Sequence, residues 1–146
     1  MQIKIHTILF ALCACVAASC SSARECSQED NYRIDYFTGG GFTGFEKGMT
    51  IDCSGRVKLW EKKLNSPREI TDSLLLKSSD RKKIDEIMND TSLFEYSAKE
   101  VSNHTATLII SKREKTMTIA WRSSDAPPDL PASIRSLLTE INKIQK

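Results

Sequence analysis

The sequence predicts an α+β fold in which two helices pack on an antiparallel sheet of about five strands, in the order β-β-β-α-β-β-α. Three observations support this. Apolar residues alternate with period two from Tyr32 onward and again from Ala106, as is typical of strands. Between these two stretches the apolar residues recur with helical spacing. The chain then ends in a second, longer stripe with the same helical spacing.

The first three strands are predicted to form a meander. The first strand places Tyr32, Ile34 and Tyr36 on one face and Arg33, Asp35 and Phe37 on the other. The second is marked by Met49, Ile51 and Cys53, and the third by Val57, Leu59 and Trp60. Asp52-Cys53-Ser54-Gly55 between them has the composition of a turn. Trp60, like Trp121 later, is interpreted as a core or core-edge side chain, with a ligand platform as the alternative.

The middle of the chain predicts a helix. Ser78 or Ser79 can cap it, and the apolar residues Ile84, Ile87 and Met88 fall on one helical face. The leucines at 74–76 precede this helix, and the pattern leaves open whether they form a strand or a lead-in.

Two strands and a last helix complete the predicted domain. The strands are marked by Ala106, Leu108 and Ile110 and by Met117, Ile119 and Trp121, with a polar turn between them. The paired prolines at 127–128 break the ladder. The last helix follows Pro131, a residue suited to a first helical position, and its stripe runs from Leu130 to Ile144.

The N-terminus has the three parts of a secretory signal, which are a positive start at Lys4, a short apolar run and an exit of small residues. The apolar run ends at Ser19 and is shorter than the roughly 20 residues of a transmembrane helix. Val16–Ser19 followed by Cys20 resembles a bacterial lipobox, in which diacylglycerol is joined to the cysteine sulfur. Cys20 is the preferred lipidation site because it leaves the fuller apolar run, and Cys15 is the alternative.

These features divide the chain into a lipoprotein signal peptide at 1–19, a tether at 20–31 and one α+β domain at 32–146. The expected location is a bacterial membrane, reached through the lipid anchor. Ser21 after the lipidated cysteine resembles the signal for outer-membrane delivery, with the domain on the periplasmic or surface side.

Charge and cysteine content exclude some classes of function. The net charge of +2 is spread among nearby acids and bases, so no basic face indicates nucleic-acid binding. Cys26 and Cys53 are the cysteines left in the domain and tether. An oxidising compartment allows them to pair, but the tether position of Cys26 leaves the disulfide open.

The sequence shows no catalytic constellation. His104 is the histidine of the domain, and no serine lies in a G-x-S-x-G turn, so a nucleophile with an oriented base is not indicated. Asn103-His104-Thr105 is interpreted as the opening of a strand. Metal sites need three or four ligands, and the pattern supplies too few. We therefore expect no enzyme activity, no metal and no cofactor.

The most unusual local feature is the glycine-rich segment 39–44. A phosphate-binding loop would lead into a helix, whereas the residues that follow alternate like a strand. One interpretation is a wide hairpin connection that requires positive φ. The other is a protruding loop that binds a partner through Gly40, Gly41, Phe42 and Thr43.

The chain combines Gly40-Gly41-Phe42, a central helix, a hairpin, and Pro127-Pro128 before the last helix. In these features it resembles emfourin, a small α+β inhibitor of thermolysin-like metallopeptidases. The chain is also similar to small exported lipoproteins of Bacteroidota. The resemblance covers nearly all of residues 32–144 through short motifs. It implies a peptidase-inhibitor domain, although the loop lengths differ from those of emfourin and emfourin carries no lipid.

The expected function is that of a membrane-anchored lipoprotein acting as a non-enzymatic protein-binding module. Its partner is a protein, and an exported peptidase is the partner that the resemblance implies. The alternative is a structural or accessory lipoprotein of a cell-envelope complex, docked through a sheet edge or an apolar patch.

Overall fold

The computed structural model describes residues 25–40, 44–96, 98–99, 104–123 and 126–145. Both candidate lipidation sites, Cys15 and Cys20, lie outside these residues. Of the described helices, none is long and apolar enough to cross a membrane. The division into signal, tether and domain therefore stays a prediction.

The described part forms one seven-stranded sheet and two α-helices, which confirms the α+β class. The strands are β1 (Tyr32–Gly40), β2 (Phe45–Asp52), β3 (Arg56–Lys62), β4 (Glu69–Leu75), β5 (Ala98–Lys99), β6 (Thr105–Lys112) and β7 (Lys115–Arg122). The helices are α1 (Ser78–Met88) and α2 (Ala132–Ile144), with a 3-10 turn at Thr91–Glu95. The sheet order is β4-β3-β2-β1-β6-β7-β5, with β5 parallel to β7 and the other pairs antiparallel.

Both helices pack on one face of the sheet, which we call the helix face. The residues predicted to alternate inward, such as Ile34, Ile51 and Leu108, are fully buried there. They form one apolar cluster with α1 and α2 side chains that include Ile84, Met88, Ile134, Leu137 and Ile141. Trp121 belongs to this cluster, which confirms its interpretation as a core side chain.

The other face, which we call the open face, carries the alternate residues of the same strands. Residues paired across neighbouring strands point to the same face of a sheet. Asp35 pairs with Thr50, and Thr50 pairs with Lys58, so these three side chains form one row on the open face. Phe37, Gly48 and Trp60 form the neighbouring row.

The structure adds detail to one prediction and corrects another. Beyond the five strands marked in the sequence the sheet has β4 and the two-residue β5, and β4 includes Leu74 and Leu75, for which the pattern had left a strand or a lead-in open. All seven residues of β4 are exposed, so it lacks the alternation that reveals a strand with one buried face. The serines do not cap α1, because the helix begins at Ser78 and the N-cap residue is Lys77. The carbonyl of Lys77 accepts the first backbone hydrogen bonds of the helix.

Candidate functional site

The sheet ends in two connections that together form an apolar tip, made of Gly40, Gly44, Phe45 and Leu64. Gly40 closes β1 with φ of 108°, and Gly44 precedes β2 with φ of 56°, both in the region that favours glycine. A Cβ atom on Gly44 would lie 2.6 Å from Cδ1 of Leu64, so the two connections touch. Leu64 is 63% exposed and Phe45 is 36% exposed. The tip therefore presents two large apolar side chains to solvent beside two glycines whose positive φ values glycine adopts most readily.

The structure describes part of the predicted partner-binding loop. Gly40 ends β1 at the tip, as the hairpin interpretation requires. Gly41, Phe42 and Thr43 lie outside the described residues. No sequence pattern indicated Leu64, which reaches the tip from the β3–β4 connection.

At the opposite end of the sheet, which we call the disulfide end, Cys26 is joined to Cys53. The Cα atoms of this disulfide are 5.7 Å apart, and 27 positions separate the two residues in the chain. Cys53 occupies the turn between β2 and β3, as predicted. The bond fixes the segment before β1 to the sheet, so the chain enters the domain at the end farthest from the tip.

A buried tyrosine secures α1 to this end. The hydroxyl of Tyr32 donates to Oδ1 of Asp85 at 2.8 Å. Burial and then the hydrogen bond to this carboxylate raise the pKa of Tyr32 well above its usual range. The hydroxyl therefore stays protonated and acts as a structural donor.

The open face holds a buried carboxylate, that of Asp35, which is 7% exposed. Arg33 donates to it through Nε at 2.7 Å and Nη2 at 3.1 Å. Arg68 donates from Nη1 at 2.8 Å, and the hydroxyl of Thr50 donates at 2.6 Å. Two guanidinium groups from distant parts of the chain thus meet at one carboxylate.

Trp60 and Phe37 complete this open-face cluster. Trp60 is 1% exposed but does not belong to the apolar cluster of the helix face. The centroid of its ring lies 5.6 Å from that of the Phe37 ring. Gly48 lies between the two residues in the sheet, and a Cβ atom at this position would collide with Phe37. The guanidinium of Arg68 covers the indole at 3.8 Å from the ring centroid, a cation–π arrangement. The indole Nε1 donates to Thr50 at 3.2 Å and so joins the polar chain to Asp35.

The surroundings of Asp35 determine its charge. Burial acts to raise the pKa of this carboxyl, but hydrogen bonds from Arg33 and Thr50 and the charges of Arg33 and Arg68 lower it by more. The pKa therefore lies below its ordinary value and Asp35 is ionised at neutral pH. A general acid needs the opposite shift. Asp35 instead holds two arginines in place.

Trp60 was interpreted as a core or core-edge side chain, with a ligand platform as the alternative. The structure confirms the first interpretation, since Trp60 is 1% exposed, although it lies outside the apolar cluster of the helix face. The indole is buried on the open face beneath Arg68, and so it is closed to stacking ligands. One signal was present in the sequence. Phe37 and Trp60 both fall on outward positions of their strands, and two large aromatics there indicate that something covers them.

The catalytic candidate that the sequence analysis rejected lies away from this cluster. His104 is exposed and directly precedes β6, which confirms that it opens a strand. Among the described residues no group of three or more histidine, cysteine or acidic side chains is placed to hold a metal ion.

No protein-family model matches the chain. No curated protein matches it either.

Proposed function

We propose that this protein is a membrane-anchored lipoprotein that binds an exported protein through the tip of its sheet, without catalysing a reaction. The observation that carries the proposal is the position of the tip relative to Cys26. The disulfide holds the entering chain at one end of the sheet, and Phe45 and Leu64 stand at the other.

The distances favour a tip that projects away from the membrane. A strand rises about 3.3 Å per residue, so the eight residues of β2 separate the two ends by about 25 Å. With lipid on Cys20, the free tether ends at Cys26, because the disulfide fixes the chain from there on. Six residues span at most about 20 Å. The disulfide end therefore faces the bilayer and the tip faces outward.

The chemistry of the tip suits a protein partner. Single exposed apolar residues are normal on soluble proteins, but here Phe45 and Leu64 are both exposed at one end of the sheet, and Leu64 lies against Gly44, the residue before Phe45. Apolar anchors at the centre of an interface carry most of its binding energy. Phe42 lies in the same connection by sequence and adds a third apolar side chain to the segment.

The partner that we propose is a thermolysin-like exported metallopeptidase, the class implied by the resemblance to emfourin. The test is to titrate such a peptidase with the full chain and measure its hydrolysis rate. We expect inhibition that Leu64→Ser weakens about tenfold or more, the loss expected when a buried anchor is removed.

Leu75→Ser is the matched control, because Leu75 is also apolar and exposed but ends β4 opposite Arg56, at the disulfide end of the sheet. This variant is expected to inhibit as the wild type does. An unchanged hydrolysis rate at micromolar wild-type protein would overturn the inhibitor proposal. Equal weakening by both substitutions would overturn the assignment to the tip.

The alternative, an accessory lipoprotein docked on an envelope complex, is favoured by strand β4. It is an edge strand whose seven residues are all exposed, and Ile70, Leu74 and Leu75 are apolar. Such an edge pairs readily with a strand of another chain. Replacing Thr71 with proline removes one backbone donor of β4, and we expect co-purification with a membrane complex to be lost in that variant if this function applies.

A further inference from the structure

We infer that the open face carries a binding site for a phosphate group, which extends from the disulfide end to Arg68 and contains none of the residues of the tip. The site is a depression of about 320 Å³ bordered by the cationic side chains of Arg33, Arg56, Lys58 and Arg68. Its floor includes Thr50 and Asp52 of β2.

The sheet register brings these cations together from three separate segments. Arg33 lies opposite Asp52, whose carboxylate accepts the backbone N–H of Arg56 at 3.2 Å. Lys58 lies opposite Thr50, in the row that begins with Asp35. Arg68 reaches the same place from the connection before β4. The cations therefore surround the depression on more than one side.

Two of the cations are held in position before any ligand arrives. Arg33 uses Nε and Nη2 on Asp35, and Arg68 uses Nη1 while its plane lies on the Trp60 ring. A guanidinium has five N–H donors, so each arginine keeps donors beyond those engaged with Asp35. Fixing a side chain in advance lowers the entropy lost on binding.

The charge balance indicates the ligand. The four cations face two carboxylates, those of Asp35 and Asp52, which leaves two net positive charges at the depression. A phosphate monoester carries about −1.5 to −2 at pH 7 and offers three acceptor oxygens. A carboxylate or a phosphate diester carries only one negative charge. The depression therefore matches a phosphate monoester or free phosphate, and an anionic lipid supplies that group when its headgroup is a terminal phosphate.

The experiment uses the full exported chain in a neutral maltoside detergent, at constant ionic strength because exposed charges are screened by salt. One arm titrates inorganic phosphate, and the other adds phosphatidic acid, which has a terminal phosphate, or zwitterionic phosphatidylcholine to the micelles. Calorimetry gives the Kd in each arm. A response to inorganic phosphate assigns the site to the free ion or ester, and a response to phosphatidic acid alone assigns it to a lipid headgroup.

The test variant is Arg56→Gln with Lys58→Gln, two exposed residues that Asp35 does not hold. Its matched control is Lys82→Gln with Lys83→Gln, which removes the same charge from exposed positions of α1. We expect the test variant to raise the Kd about tenfold or more and the control to leave it unchanged.

Two results would overturn the inference, namely no binding in either arm, or an equal loss of affinity in both double variants. Thermal unfolding of each variant shows whether the fold is retained. If the test variant unfolds, Lys58→Gln alone replaces it, with Lys82→Gln as control, and the same two results decide.

Discussion

The two faces of the sheet bury large side chains in different ways. On the helix face, apolar side chains of five strands are enclosed by α1 and α2. On the open face, Asp35 and Trp60 are also buried, but the side chain that covers them is the charged Arg68. Secondary structure covers the buried side chains of the first face, whereas arginine side chains cover those of the second, with Arg33 and Arg68 on Asp35 and Arg68 on Trp60. Burial alone therefore does not mark the core of this protein.

This difference has consequences for energetics. A substitution that shortens a side chain on the helix face leaves a cavity there. The surrounding helices and strands are packed on all sides and cannot move in to fill it. The arginines of the open-face cluster reach solvent, with Arg33 56% and Arg68 33% exposed at the side chain. Water can form some of the hydrogen bonds that a substitution removes there. We therefore expect substitutions on the open face to lower the free energy of unfolding by less.

The largest effect is expected from two neighbouring residues of β6 that point to opposite faces. Leu108 is fully buried on the helix face and Ile109 is half-buried on the open face, opposite Asp35. We expect Leu108→Ala to lower the free energy of unfolding by about 3–4 kcal/mol and Ile109→Ala by about 1 kcal/mol. Urea denaturation measures both. Equal losses would show that the two faces do not differ as described.

Loss of the disulfide is expected to cost nearly as much, because the Cys26–Cys53 bond closes a loop of 27 positions. We expect Cys26→Ser with Cys53→Ser to lower stability by about 3 kcal/mol. The difference between Leu108→Ala and Ile109→Ala is expected to persist in this background. A loss below about 1 kcal/mol would indicate that the bond does little to hold the entering chain.

A smaller effect is expected from the open-face cluster itself. Asp35→Asn keeps the shape of the side chain but removes the charge that Arg33 and Arg68 share. We expect a loss of about 1–3 kcal/mol at pH 7 by urea denaturation. Glu61→Gln, which removes the exposed partner of Lys47, is the control and is expected to cost less than about 0.5 kcal/mol.

We also expect the stability difference between wild type and Asp35→Asn to depend on pH. The pKa of Asp35 is lower in the folded protein, so its ionised form stabilises the fold at pH values above the unfolded pKa of about 3.9. That stabilisation is lost as the pH falls from about 4 through the folded pKa. The stability gap between wild type and Asp35→Asn should therefore be constant from pH 5 to 7 and shrink below pH 4. A gap that grows on acidification would contradict the assigned shift.

Much of the fold was accessible from the sequence because one face of each central strand is buried. In β1 the polar Arg33 and Asp35 flank the buried Ile34, and in β6 the buried Leu108 and Ile110 recur at every second position, both as that burial requires. Strand β4 lacks this signal, since both of its faces are exposed, and its register with β3 shifts between Leu59 and Trp60. Strand β5 has two residues, too few for any periodicity.

The sites were less accessible because they depend on register and on contacts between distant segments. The glycines at the tip are a local signal, but the contact of Gly44 with Leu64 joins two separate connections. Asp35 looked like an ordinary outward residue in an alternating strand. Its burial depends on Arg68, 33 positions away, which no local pattern relates to it.

The central claim is that a partner binds at the tip, and site-specific photo-crosslinking in the intact cell envelope tests it most directly. A photoreactive residue replaces Leu64 in the full chain, and in a second chain it replaces Leu75, which ends the edge strand β4 at the disulfide end. Both positions are exposed, so both photoreactive groups reach solvent. We predict one discrete crosslinked protein from position 64 and none from position 75. A discrete product from position 75 alone would contradict the claim and would move the partner to the edge of the sheet.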